Sequence, residues 1–88
     1  MVRPYLVELS PAAARQLRKL DRSIQRRLYL RLRRLASEPR PAGCVQLRAV
    51  IGTFYRIREG TYRIVYTIED TRLVVLVVRI AHRREAYR

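Results

Sequence analysis

Acidic residues are scarce in this chain: seven against 20 arginines and lysines, for a formal charge of +13 over 88 residues. An imbalance of that size excludes an electrostatically neutral surface. It calls for a polyanionic partner: nucleic acid, an anionic membrane or an acidic protein. Cysteine occurs once, at Cys44 between Gly43 and Val45, which rules out an internal disulfide and fits a reducing cytoplasm. Histidine also occurs once, at His82, and Glu and His never cluster at ligand spacing, so neither a metal nor another cofactor is expected. Long apolar stretches are missing too. No run approaches the roughly 20 residues that span a bilayer, and Met1-Val2-Arg3-Pro4-Tyr5 lacks the apolar stretch of a signal peptide. Repeats, low-complexity segments and linkers are absent, while an apolar share of 49% suffices for a core. The expectation is one cytoplasmic domain over residues 1–88 with no membrane association.

What is present arranges itself in a simple order. Tyr5 to Leu9 reads as a short strand. Ser10 and Pro11 then open a helix, Ser10 as N-cap and Pro11 at the first helical position, where a missing N–H costs nothing. Ala13, Leu17 and Leu20 keep helical spacing, with Arg15, Arg18 and Lys19 largely elsewhere. Asp21 stands where it can cap a second helix, whose Ile24, Leu28, Leu32 and Leu35 form an apolar stripe opposite Arg22, Arg26 and Arg33. Pro39 and Pro41 end that helix, and the two together read as a tight helical hairpin. Arg40 to Gly52 reads as a loop with a little irregular structure around Gln46-Leu47-Arg48. Three strands follow, Phe54–Arg58, Tyr62–Glu69 and Arg72–Ile80, with turns at Glu59-Gly60 and Asp70-Thr71. The run from Leu73 to Val78 is apolar throughout, as in a central strand covered on both sides. The predicted class is α+β: an N-terminal strand, a helical hairpin, then a three-stranded antiparallel meander, in one sheet with the helices on one face.

The candidate chemistry lies on the last strands and the tail. Arg56 and Arg58 share one side of their strand, with Tyr55 and Ile57 on the other. If the loop around Gly60 has even length, Arg63 joins Arg56 and Arg58, and Ile57, Ile64 and Tyr66 face the helices; an odd loop removes Arg63 from the set. Guanidiniums crowded on a sheet repel one another, so either an anion compensates them or they form a solvated, aggregation-resistant face. Arginine suits phosphate because its planar fork donates two hydrogen bonds and stays ionised. His82 is the only side chain here whose unperturbed pKa lies near neutrality. With Arg83 and Arg84 it is expected to emerge at the end of the last strand, and Tyr87 can swing over the same face to stack on a base or clamp the C-terminus.

The stretch Gly60-Thr61-Tyr62-Arg63-Ile64-Val65-Tyr66, an apolar strand, and then Ile80-Ala81-His82-Arg83-Arg84-Glu85-Ala86-Tyr87 resembles the RelE-type toxins of bacterial type II toxin–antitoxin pairs, within the RelE/ParE superfamily. The helical hairpin, Leu47-Arg48 ahead of the sheet and the overall length agree. The resemblance implies a compact microbial-ribonuclease-like fold and a metal-independent endoribonuclease, an mRNA interferase. Such a protein enters the A site of the 70S ribosome and cuts mRNA through the RNA's own 2′-hydroxyl, leaving a 2′,3′-cyclic phosphate. It also implies a cognate acidic antitoxin in a hetero-oligomer, with DNA contacted only indirectly through that antitoxin. Residue by residue, Arg56 and Arg58 match basic residues near the scissile phosphate, Arg63 and Arg83 match arginines that stabilise the transition state, and Tyr87 matches a tyrosine that orients a base.

One departure bears on mechanism. Arg56 and Arg58 stand where studied members carry lysines, and a guanidinium keeps its proton to a pH above about 12. His82 becomes the expected proton-transfer group, with Tyr87 second and Glu59 and Glu85 behind them. Two alternatives stay open: a ParE-like inhibitor of DNA gyrase without nuclease chemistry, and a non-catalytic nucleic-acid-binding module.

Overall fold

Ser10 does what its position predicts. Its Oγ accepts a hydrogen bond from the Ala13 N–H at 3.1 Å and so closes the N-terminus of the first helix, α1 (Pro11–Arg18). The second helix, α2 (Arg22–Arg34), begins differently from expectation: Asp21 occupies the N-cap position but makes no side-chain cap hydrogen bond. Gln25 secures the joint instead, its Nε2 donating to the carbonyls of Leu20 at 2.7 Å and Arg18 at 3.2 Å. The computed structural model describes residues 3–83.

Five strands form one sheet: β1 (Leu6–Leu9), β2 (Val45–Ala49), β3 (Gly52–Glu59), β4 (Tyr62–Glu69) and β5 (Val74–His82), in the spatial order β1-β5-β4-β3-β2. The meander β2 to β5 is antiparallel throughout, and β1 returns parallel to β5. The meander thus has four strands, not three. The segment expected to be a loop contributes β2, which pairs Leu47 with Phe54 and Val45 with Arg56. Its turn hides it, because Val50 and Ile51 at the tip are apolar and fully or largely exposed where Asn, Asp or Gly would advertise a hairpin.

Both helices pack on the same face, building a core of Ala13, Leu28, Leu32 and Leu35 against Ile57, Ile64, Tyr66, Val75, Val77 and Ile80. The stripe predicted for α2 is therefore the buried one, with Ile24 half-buried at its margin. The strand β5 is interior to the sheet, as its apolar run predicts, but among the described residues its cover is one-sided: Val74, Leu76 and Val78 on or beside the other face are only half-buried.

A polar clamp fixes the segment after α2 to the sheet. Arg40 grips Asp70 with both ends of its fork, Nη2–Oδ2 at 2.9 Å and Nη1–Oδ1 at 3.2 Å, and the Tyr5 hydroxyl donates to the same Oδ1 at 2.6 Å. The Arg40 hydrogen bonds, followed by that from Tyr5, hold the Asp70 carboxyl below its ordinary range. The Arg40 guanidinium also lies over the Tyr55 ring, 5.3 Å from its centroid, and Tyr55 stacks on Tyr66 at 5.8 Å. Tyr66 completes the join from inside the core, its hydroxyl donating to the Pro39 carbonyl at 2.7 Å. Burial, then the neighbouring Cys44 thiol, raises the Tyr66 hydroxyl far above its ordinary pKa.

Candidate nucleic-acid interface

The β3–β4 hairpin decides where the arginines go. Glu59 pairs with Tyr62 across a two-residue loop, Gly60-Thr61, so Arg58 stands directly opposite Arg63. Gly60 adopts φ +60, and positive φ at the first central residue alone is the signature of a type II′ turn, the twist that suits a hairpin. The loop is even, and the parity expected for it holds. Arg56, Arg58, Arg63 and Val65 share the face away from the helices, while Ile57, Ile64 and Tyr66 enter the core.

A β-bulge in β5 sets the rest. Tyr66 pairs with Val77 but Val65 pairs with Arg79, leaving Val78 as an extra residue. An unbroken period of two from the buried Val75 and Val77 would turn residues 79, 81 and 83 inward and residues 80 and 82 outward. The extra residue exchanges the two sets. Ile80 enters the core, and Arg79 and Ala81 join the arginine face opposite Val65 and Arg63.

Two recesses result. The first lies at the hairpin end and is lined by Arg58, Gly60, Thr61, Tyr62, Arg63 and Arg83. The second, about 180 Å³, is lined by Leu47, Arg56, Arg63, Val65, Arg79 and Ala81. Arg63 is the wall common to both and is only 3% exposed, the one buried charged residue among those described. Among the described residues, no buried side-chain nitrogen or oxygen lacks a hydrogen-bond partner, so this guanidinium is held in place by the fold. A fixed, dehydrated cation flanked by partly or fully exposed ones has the charge and the geometry to receive an anion.

His82 departs from the expected arrangement by the face it takes. It is the last residue of β5, pairs with Tyr62, and meets that ring edge-on at 5.3 Å. It lines a cleft on the helix side with Gln16, Lys19, Leu20, Tyr62 and Ile80, so the sheet separates it from the guanidiniums. The bulge is the physical reason: without it the imidazole would face the arginines. Glu59 is likewise engaged on the helix side, 3.6 Å from Arg27 and 3.9 Å from Arg31 of α2. Tyr87, Arg84 and Glu85 fall outside the described residues. The structure thus brings together Arg56, Arg58, Arg63 and Arg83, and parts them from His82. It also adds Arg79, which the sequence does not mark because the apolar run before it conceals the change of parity.

A family model described as the ParE toxin of the type II toxin–antitoxin system parDE matches residues 7–87. Toxin RelG of Mycobacterium tuberculosis is 36% identical over 86 residues, covering 97% of this chain and 98% of that protein. The toxin–antitoxin complex RelBE2 of the same organism contains a chain that superposes with a TM-score of 0.82 at 30% identity, covering 93% of this chain and 94% of that one. The isolated RelE toxin of E. coli superposes with a TM-score of 0.75 at 25% identity, covering 94% and 95%. On these matches, which span nearly the whole sequence, the chain belongs to the RelE/ParE superfamily and is a RelE-family toxin of a type II toxin–antitoxin system.

Proposed function

We propose that this toxin is a ribosome-dependent mRNA endonuclease, acting in the cytoplasm on mRNA in the A site and held inactive by a cognate acidic antitoxin. The observation that carries the reading is the convergence of Arg58, Arg63 and Arg83 on one recess, with Arg63 buried between that recess and the next. In-line attack of a 2′-hydroxyl on the adjacent phosphodiester builds negative charge on the non-bridging oxygens. Guanidiniums already fixed around that position lower the barrier without reorganising at the moment of reaction. Arg63 is the central stabiliser in this scheme, with Arg58 and Arg83 flanking the phosphate and Arg56 holding its neighbour.

Proton transfer needs a different assignment from the one the sequence suggested. The described residues lining the two recesses include no carboxylate and no imidazole. Charge stabilisation therefore carries most of the rate in this proposal, with Tyr87 and, behind it, Glu85 as the remaining tail candidates for proton transfer. His82 acts at most through the Tyr62 ring, as a positioning residue.

The +13 charge extends the reading to partners. Arginines on the exposed flank of α2 suit ribosomal RNA, with binding that weakens steeply as salt rises. The same charge, in free toxin, favours promiscuous RNA binding, which an acidic antitoxin would neutralise. The solved relatives include toxin–antitoxin complexes, which supports a hetero-oligomer of that kind.

The test is purified toxin added to ribosomes translating a defined mRNA, with cuts mapped by primer extension. Cleavage within A-site codons, a 2′,3′-cyclic phosphate at the new end and protection by a single 2′-deoxy substitution are expected. Intact mRNA would end the proposal. The family model's match to ParE toxins favours one other reading, inhibition of DNA gyrase. It would be signalled by gyrase-linked DNA breaks with mRNA left whole.

A further inference from the structure

The second recess has a composition that a pure phosphate cradle does not need. Leu47, Val65 and Ala81 supply apolar lining, Arg56 and Arg79 a cationic rim, and the buried Arg63 the wall shared with the first recess. Its volume, about 180 Å³, has room for one planar base or one ribose. Arg56 and Arg58 lie two residues apart on β3, hence about 7 Å apart along the strand, and Arg79 and Ala81 step along β5 in the same way, with Arg83 just past its end. The two recesses are therefore offset by about one same-face repeat, comparable with the step between successive phosphates in an extended RNA strand.

We propose that the second recess is a subsite for the nucleotide next to the cleaved phosphodiester, and that Arg79 is its distinguishing residue. Arg79 contacts the flanking phosphate or stacks its guanidinium plane on the base, while Leu47 and Val65 exclude water beneath. Three features support the assignment. Arg79 is exposed and borders the recess. It is aimed there only because of the bulge at Val78, a device that costs a strand a regular ladder position and often re-aims a side chain at a functional site. It also shares Arg63 with the first recess, so both recesses read one strand. The inference deepens the endonuclease reading and takes its substrate class, single-stranded RNA, from it.

The experiment uses the whole toxin and a non-cleavable 2′-O-methyl tetranucleotide, with binding followed by fluorescence anisotropy at several salt concentrations. Three variants are compared with wild type. Arg79→Gln removes the proposed contact. Arg79→Lys keeps the charge and loses the fork. Arg72→Gln removes an equal charge at an exposed site in the β4–β5 turn, near Glu69. Arg79→Gln is expected to weaken binding about tenfold and to lower the salt slope by about one, with Arg79→Lys losing about threefold and Arg72→Gln less than twofold. Equal losses in Arg79→Gln and Arg72→Gln, or no binding by wild type, overturn the subsite. Cleavage on ribosomes separates the two ideas. A toxin that cuts mRNA but binds RNA without regard to Arg79 sinks the subsite and spares the nuclease. Arg79-dependent binding without ribosomal cleavage upholds the recess as a site for a nucleotide of single-stranded RNA and sinks the nuclease.

Discussion

Arg58→Gln should make this protein more stable and less active at once. In the β3–β4 register Arg58 faces Arg63 directly, and like charges across a strand pair destabilise by about 0.2–1 kcal/mol. Coulomb's law gives the same scale: two unit charges about 7 Å apart in water repel by about 0.6 kcal/mol. Arg58 is exposed, so high-dielectric screening is the right limit, and its removal leaves no buried group behind. The expected gain is about 0.5 kcal/mol, or about 2–4 °C in melting temperature for a domain of this size. In 1 M salt, where the screening length falls to about 3 Å, the gain should disappear. Single-turnover cleavage on ribosomes should meanwhile fall by about tenfold to a hundredfold. That is less than the 10²–10³ typical of a preorganised donor, because an exposed guanidinium is not fully held. Thermal melts at low and high salt, paired with the cleavage assay, check both halves. A lower melting temperature at low salt, or a gain that persists unchanged in 1 M salt, would refute the argument that the arginine face stores repulsion awaiting an anion.

Two predictions concern the join between the sheet and the segment after α2. Tyr66→Phe removes a buried hydroxyl that donates to the Pro39 carbonyl at 2.7 Å, leaving that acceptor without its protein donor. A loss of about 1 kcal/mol follows, read as a drop of about 4–8 °C in a melt, and an unchanged melt would show that the bond adds nothing. Asp70→Asn addresses acid sensitivity. The folded-state pKa of Asp70 is lowered, chiefly by its hydrogen bonds from Arg40, so its contribution is present above the ordinary carboxylate range and is lost as pH falls through that range toward the lowered value. Wild type should lose melting temperature more steeply than Asp70→Asn between about pH 5 and pH 2. Parallel curves would mean that the clamp does not sense protonation.

Much of the fold could be read from local chemistry, because local chemistry decides it. Ser10-Pro11 starts a helix wherever it stands ahead of an apolar periodicity, and the Ile24, Leu28, Leu32, Leu35 stripe could bury only one side. The strand β2 was hidden because its evidence is not local. Val45 to Ala49 becomes a strand by pairing with β3, across a tip whose exposed Val50 and Ile51 carry no turn preference. The one-sided cover of β5 was concealed in a similar way, since a continuous apolar run gives no sign of which of its faces lacks a partner layer.

The site divides along the same line. Alternation in β3 and β4 is unbroken from Arg56 to Val65 apart from a two-residue loop, so parity arithmetic could carry Arg56, Arg58 and Arg63 to one face. Past Tyr66 the arithmetic fails, because one extra residue in β5 is invisible in Leu73 to Val78, where every side chain is apolar. Only the residues after the run betray it. A charged Arg79 followed by a buried Ile80 is out of step with buried Val75 and Val77, and the mismatch can be resolved only by inserting a residue. The consequence is chemical rather than cosmetic. The bulge trades an imidazole for two guanidiniums on the face away from the helices, so that face carries permanent positive charge and no imidazole among its described residues. A face built that way suits the electrostatic route proposed above, and it leaves His82 against Tyr62, on the side of the sheet that packs on α1.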